Sequence, residues 1–206
     1  MFNQSLKVLT VLIFVFLITA CAGPMTKNEL ASVKKIAVLN SFPETPNYLK
    51  IGTTVFQNDT ENIDSLKFKS VVTDQIRDYL VAKGYQVSEV NDKTQLQSGE
   101  VDMIIEAVPR DAMSKDYTNG YGFYQRFFFG TKTPASSYVA LNLVPSKKDS
   151  SNLFSAYYKE SFKKLDVDEL PTHWNDLTDK QKEDFAQNLK LNIQTTIKEL
   201  IETLGL

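Results

Sequence analysis

An α+β fold, with a mixed or mainly antiparallel sheet and two long amphipathic helices packed on one face, is what this sequence predicts. Three observations point to it. Two segments, at 65–83 and 178–204, carry apolar residues at helical spacing over several turns. Seven shorter segments are apolar or alternate as strands do. Most of those strands follow one another with no helix between them, so neighbours can pair as hairpins.

Lys35–Asn40 is a short apolar run stopped by Ser-Phe-Pro, which suits a buried first strand, and Pro43 and Pro46 then break the chain. Tyr48–Phe56 reads as a second strand and Gln57–Asn62 as a polar turn. In 65–83, Phe68, Val72, Ile76 and Leu80 recur at every fourth position, with Val71 and Tyr79 widening the stripe. Asp64 or Ser65 suits the N-cap, and Gly84 suits the left-handed position past the C-terminus. Tyr85–Val90 reads as a strand, Lys93–Glu100 as a polar connection, and Val101–Val108 as a strand stopped by Pro109. Arg110–Asn119 reads as a loop and Tyr121–Phe129 as an aromatic extended segment. Ser136–Val144 and Asn152–Phe162 read as antiparallel strands joined across 145–151. After an irregular 163–175, Thr178 and Gln181 fit a capping box. Phe185, Leu189, Ile193, Ile197, Leu200, Ile201 and Leu204 then form one stripe, closed by Gly205.

The 206 residues carry 23 Lys+Arg against 25 Asp+Glu, a formal charge of −2, with one His and one Cys. No basic excess is present to neutralise phosphates, so no nucleic acid is expected as a partner. A single Cys excludes a disulfide framework, and with a single His it leaves no ligand set for zinc. The expectation is no metal and no cofactor.

The N-terminus carries the most specific signal. After Lys7, residues 8–20 run without a charge, too short a stretch for a permanent membrane span. A basic start, an apolar core and small residues at its end describe a secretory signal peptide. Leu17-Ile18-Thr19-Ala20-Cys21 resembles the lipobox of bacterial lipoproteins. The resemblance implies cleavage between Ala20 and Cys21, a lipid on the Cys21 thiol and attachment to a membrane through it. It implies the organisation 1–20 signal peptide, 21–33 lipidated tether and 34–206 one globular domain. Ala22, rather than Asp, after the Cys points to the outer membrane facing the periplasm. The order of elements in the body is broadly similar to small α/β domains of envelope lipoproteins of the curli-secretion and penicillin-binding-protein-activator types, though no body motif carries residues over from them.

No catalytic residue is assigned. Gly-x-Ser-x-Gly is absent, and Gly120-x-Gly122 lacks the third glycine of a dinucleotide turn. His173-Trp174 reads as a Trp plugging the start of the last helix with the His on the surface. Asp166, Asp168, Glu169, Asp176 and Asp179 read as solvated acids without the tight-turn Gly of a Ca²⁺ loop. Asp102 and Glu106 share one face of a strand, the arrangement a carboxylate-based hydrolase needs, but a half-exposed strand explains them equally.

Seven aromatics crowd 117–130: Tyr117, Tyr121, Phe123, Tyr124, Phe127, Phe128 and Phe129. Consecutive aromatics on a strand cannot all face one side. Exposed aromatics beside an Arg make binding hot spots, so Tyr121, Phe123, Tyr124, Arg126, Phe127, Phe128 and Phe129 are the candidate partner-binding residues. The alternatives are a hairpin buried between sheet and helix, or aromatics dipping into the membrane beside the anchor. The expected function is a non-catalytic, tethered binding or accessory module for an envelope protein or polymer. The competing readings are a carrier with an apolar pocket between helices and sheet, and the hydrolase. The sequence sets no oligomeric state.

Overall fold

The computed structural model describes residues 25–54, 57–148 and 156–206. The strands are β1 Lys35–Asn40, β2 Asn47–Ile51, β3 Asp59–Asn62, β4 Gln86–Val90, β5 Met103–Pro109, β6 Tyr121–Phe128, β7 Thr131–Lys132, β8 Ser136–Lys147 and β9 Tyr157–Lys164. The helices are α1 Lys27–Ala31, α2 Lys69–Ala82, α3 Thr94–Ser98 and α4 Asp179–Leu204, with a 3-10 turn at Trp174–Asp176. One sheet holds all the strands in the order β3-β2-β6-β8-β5-β1-β4, with β9 paired to β8 and β7 to β6.

β8 organises this sheet. One of its edges carries β9 over 136–143. The other carries β6 over 136–139 and β5 over 141–147, so β5 and β6 lie end to end as two halves of one strand. Their join sits opposite Ala140, whose carbonyl accepts from Arg110 N (3.0 Å) and whose N–H donates to Gly120 O (2.7 Å). Residues 111–119 leave the sheet at that level as an excursion, closed by a bridge between Asp111 and Asn119. β1 and β2 run parallel to β5 and β6 and are likewise two halves of one strand, broken by 41–46. Backbone donors and acceptors must be paired when buried, and the long unbroken β8 lets two broken strands satisfy that demand.

Side-chain parity then assigns the faces. Ile36, Val38, Tyr48, Met103, Ile105, Tyr121, Phe123, Val139, Leu141 and Leu143 form one cluster with the buried residues of α2 and α4. From α2 these are Val72, Ile76 and Leu80; from α4 they are the seven residues of the stripe from Phe185 to Leu204. Each such side chain gains about 1.5–3 kcal/mol on leaving water. The opposite face has two small clusters: Leu49, Ile51, Tyr124 and Tyr138, and Ala37, Val90, Val101 and Ile104 under Leu96 of α3.

Several elements depart from the sequence reading. The tether expected over 21–33 is folded from Met25 onward, with 21–24 outside the described residues: Thr26 caps α1 through a box with Glu29, and Met25 and Val33 are buried. Lys147 Nζ clasps this segment by donating to Glu29 O (2.9 Å) and Ser32 Oγ (2.6 Å). α2 starts at Lys69 rather than 65, because Phe68 turns into the core and its N–H goes to Glu44 O (3.0 Å). The polar 57–62 contains β3, and the polar 93–100 contains α3; both are short elements held by pairing or a single buried side chain, which periodicity does not reveal. β8 runs through Pro145 to Lys147. Among the described residues β9 pairs with β8 only as far as Leu143, so none of them bonds to β8 at Pro145 on that edge, where a missing N–H is tolerated. The capping box at Thr178 and Gln181 and the left-handed Gly205 close α4 as its sequence specifies.

Two predictions test this framework. A Cβ on Gly122 would meet Asn47 O at 2.1 Å, so the parallel pairing of β2 with β6 needs a glycine there. Gly122→Ala is expected to cost about 2–3 kcal/mol, read as a lower midpoint in chemical denaturation. At the other end, Asp102 Oδ2 accepts from Lys34 N and Lys35 N (both 2.8 Å), which seats the start of β1. Those backbone N–H groups, Lys35 first and then Lys34, hold its carboxyl below the usual carboxylate range. A depressed folded value stabilises above the unfolded pKa of about 3.9, and the gain is lost as pH falls through the folded value. Asp102→Ala is expected to cost about 1–3 kcal/mol at neutral pH. Asp102→Asn keeps an acceptor and should flatten the loss of stability below about pH 4, followed by thermal denaturation across acid pH.

Candidate functional site

The aromatic segment divides sharply. Tyr121, Phe123 and Tyr124 are 0–1% exposed, whereas Phe128 is 45% and Phe129 90% exposed. Arg126 and Phe127 are half-buried between them.

The first three are core residues, and their place as contact residues is corrected here. Tyr121 stacks on Phe42 (centroids 5.1 Å, 3° between planes) and donates its hydroxyl to Pro43 O at 2.5 Å. Phe123 stacks on Trp174 (5.4 Å, 17°) and packs on Phe185 (5.5 Å). Tyr124 meets Phe162 edge-on at 6.2 Å on the opposite face. Burial pushes the Tyr121 and Tyr124 phenols up, so both remain protonated.

Gln125, which the sequence did not single out, fixes the base of the hairpin. It is fully buried, and its amide donates to Thr133 O (3.0 Å) and Asp168 O (2.9 Å) while its oxygen accepts from Leu170 N (2.8 Å). A polar residue with every group satisfied rigidifies its surroundings. A buried Gln amid aromatics was the only sequence signal for it.

Beyond Gln125 the chain turns at Phe129-Gly130 and returns as β7, Phe128 pairing with Thr131 and Phe127 with Lys132. Gly130, the second residue of the turn, has φ +73°, a left-handed conformation that glycine adopts without strain. Phe127 and Phe128 point to opposite sides. Lys50 Nζ sits 5.3 Å from the Phe127 ring, and the Arg126 guanidinium sits 4.8 Å from the Phe128 ring. Arg126 also pairs with Asp116 of the excursion, which raises its pKa. The excursion is thereby tied to the hairpin, and it exposes Met113 (81%) and Tyr117 (56%). Tyr117 is the sole non-glycine residue with positive φ among those described (+66°). Glu160 holds the excursion from β9: it accepts from Met113 N (2.6 Å) and Ser114 N (3.3 Å), and from the Tyr158 hydroxyl (2.6 Å). Burial pushes the Glu160 carboxyl up, but these donors outweigh it and keep it below the usual range.

The result is an exposed aromatic tip of Phe128 and Phe129 on a braced hairpin, with Met113 and Tyr117 exposed separately on the excursion. Nothing in it supplies a nucleophile. What it offers is hydrophobic contact of the kind that carries interface affinity.

The remaining candidates are held in structural roles. Asp102 seats β1, and Glu106 takes Lys93 Nζ at 2.9 Å and Ser41 Oγ at 3.2 Å, so the two carboxylates face different partners. Asp168 and Glu169 pair with Lys132, and Glu169 also with Lys50 at 3.0 Å, whose hydrogen bond holds the Glu169 carboxyl low. Asp176 accepts from His173 N in the turn before α4. Trp174 is buried and His173 is exposed, 3.8 Å from Glu61. Among the described residues no group of three or more His, Cys, Asp or Glu is placed to hold a metal ion. The helix–sheet interface is filled by the main core cluster; a recess of about 320 Å³ lies between α2 and α4, lined by Gln75, Asp78, Tyr79, Ala82, Gln194 and Lys198. Ala20 and Cys21, with the whole proposed signal peptide, lie outside the described residues.

No family model matches the chain, and no curated protein matches it. Among solved structures it is similar to protein XCC0632 of Xanthomonas campestris, of the family model DUF330, with a TM-score of 0.53, 10% identity, and 91% of this chain and 92% of that chain covered. It also matches a minor lipoprotein of Acinetobacter baumannii with a TM-score of 0.44, 11% identity, and 84% of this chain and 93% of that chain covered. At this identity, the likeness to the Xanthomonas protein is one of fold.

Proposed function

We propose that this chain is a non-catalytic lipoprotein of the bacterial cell envelope, anchored through Cys21 to the periplasmic side of the outer membrane, that binds an envelope protein or polymer. Its contact is the hairpin end formed by Arg126, Phe127, Phe128 and Phe129. The observation that carries this reading is the exposure of Phe129 (90%) and Phe128 (45%) directly above a base locked by the buried Gln125. A mobile aromatic loop would lose much of its contact energy to ordering; one built on a satisfied base does not. The anchor rests on the lipobox resemblance at Leu17–Cys21. The non-catalytic part is supported by the structural engagement of Asp102 and Glu106.

Mutating the two ends of the aromatic segment should separate binding from folding. Phe128→Ser with Phe129→Ser is expected to leave stability within about 0.5 kcal/mol while reducing capture of the partner at least tenfold in crosslinking from intact cells. Phe123→Ala is expected to cost about 3–5 kcal/mol, because it opens a cavity beside Trp174 and Phe185. Full capture by the Phe128/Phe129 double variant removes the hairpin from the contact. For the anchor, Cys21→Ser should abolish incorporation of labelled fatty acid and release the chain from the membrane fraction; a variant that stays bound with no lipid overturns the tether.

A further inference from the structure

We infer that the anchor and the contact stand at opposite poles of the body, so that the hairpin is a prong aimed away from the anchoring bilayer at a protein with an apolar pocket. This rests on the reading of Cys21 as the lipidated residue and goes beyond it in direction and in the kind of partner.

Strand register gives the direction. Met103 lies opposite Lys147 and Tyr124 opposite Ser136, the two ends of β8, and Phe128 is four residues further on. At about 3.3 Å per residue, the joined β5–β6 strand spans roughly 45–50 Å from Met103 to Phe128. The chain enters the body at the Met103 end. Lys147 clasps Glu29 and Ser32 there, Ile36 pairs with Met103, and Leu30 reaches the close of α4 at Gly205. Cys21 is four residues before Met25, a reach of at most about 14 Å. The lipid is therefore confined to the pole that Phe128 and Phe129 do not occupy.

Charge gives the kind of partner. An anionic lipid surface is met by uncompensated basic side chains around an apolar tip. Here the three cations on or against the hairpin are each matched by an acid of the same chain, Arg126 by Asp116, Lys132 by Asp168 and Glu169, and Lys50 by Glu169, while the exposed Lys163 and Lys164 lie at the end of β9 on the far side of β8. A narrow pair of phenyl rings with a neutralised collar, on a rigid stem, fits an apolar protein pocket.

Acylation of Cys21, the sole cysteine of the chain, leaves an introduced cysteine as the single reactive thiol, so Asn28→Cys and Phe129→Cys can each be labelled with a donor fluorophore in the mature lipidated protein. The protein is placed in vesicles of phosphatidylethanolamine and phosphatidylglycerol carrying an acceptor-labelled lipid. Strong transfer from position 28 and transfer near background from position 129 is the expected result. Equal transfer, or stronger transfer from 129, puts the tip in the bilayer and overturns the inference while leaving the tether intact. Loss of transfer at both positions, with the protein free in solution, overturns the tether and the inference with it. For the partner, a photoreactive phenylalanine at 129 in intact cells should give a protease-sensitive adduct that Phe128→Ser reduces at least tenfold. A protease-resistant lipid or glycan adduct, or one that Phe128→Ser leaves undiminished, overturns the assignment to a protein pocket.

Discussion

The continuity of β8 is the constraint on which this structure depends. Its residues from Ser136 to Lys147 run without a break, while the strands beside it are broken at nearly the same level, by 111–119 in one and by 41–46 in the next. A buried N–H or C=O left unpaired costs about 1–3 kcal/mol, so two interrupted strands side by side need a neighbour that bridges the gap. Ala140 does so, bonding to Arg110 on one side of the break and Gly120 on the other. From this follow both the collinearity of β5 with β6 and the length of the body.

The same arrangement separates rigidity from exposure. Helix α4 buries its stripe on one face, and its Asn192 satisfies Ser137 O (3.2 Å) beneath the β6–β8 pairing. Phe123, Trp174, Phe185 and Tyr48 form an aromatic cluster at the end of the core nearest the hairpin. Gln125 then closes the core against the 165–170 segment, and Phe128 and Phe129 beyond it project into solvent. The excursion is braced separately, by Glu160 and Tyr158 from β9 and by Arg126 from the hairpin, so Met113 and Tyr117 stay exposed on it without joining the core.

This division lets a conventional α+β core carry an exposed aromatic tip on a rigid base. Ion pairs such as Lys132–Asp168 are partly exposed and contribute little to stability. Their effect is electrostatic: they leave the neighbourhood of the aromatic tip close to neutral, and apolar surface in a neutral collar selects partners by shape more than by charge.

The sequence by itself determined what local periodicity and chemistry encode. Helix α4 was legible to the residue at its capping box and at Gly205, because cap, stripe and stop all lie within one segment. The cores of β1, β5 and β8 were legible as apolar runs, and the crowding of aromatics at 117–130 marked the region of the site. β3 and α3 were not legible, since four polar edge residues and one buried Leu96 carry no period. Nor was the fate of individual aromatics. Phe123 and Phe129 are the same residue type six positions apart, and only packing distinguishes them: one is covered by Trp174 and Phe185, which the chain brings back from far along the sequence, and the other lies past the last rung that β8 can offer. Burial is a property of what arrives from elsewhere in the chain, and so the tertiary structure alone decided which aromatics hold the fold and which are left exposed.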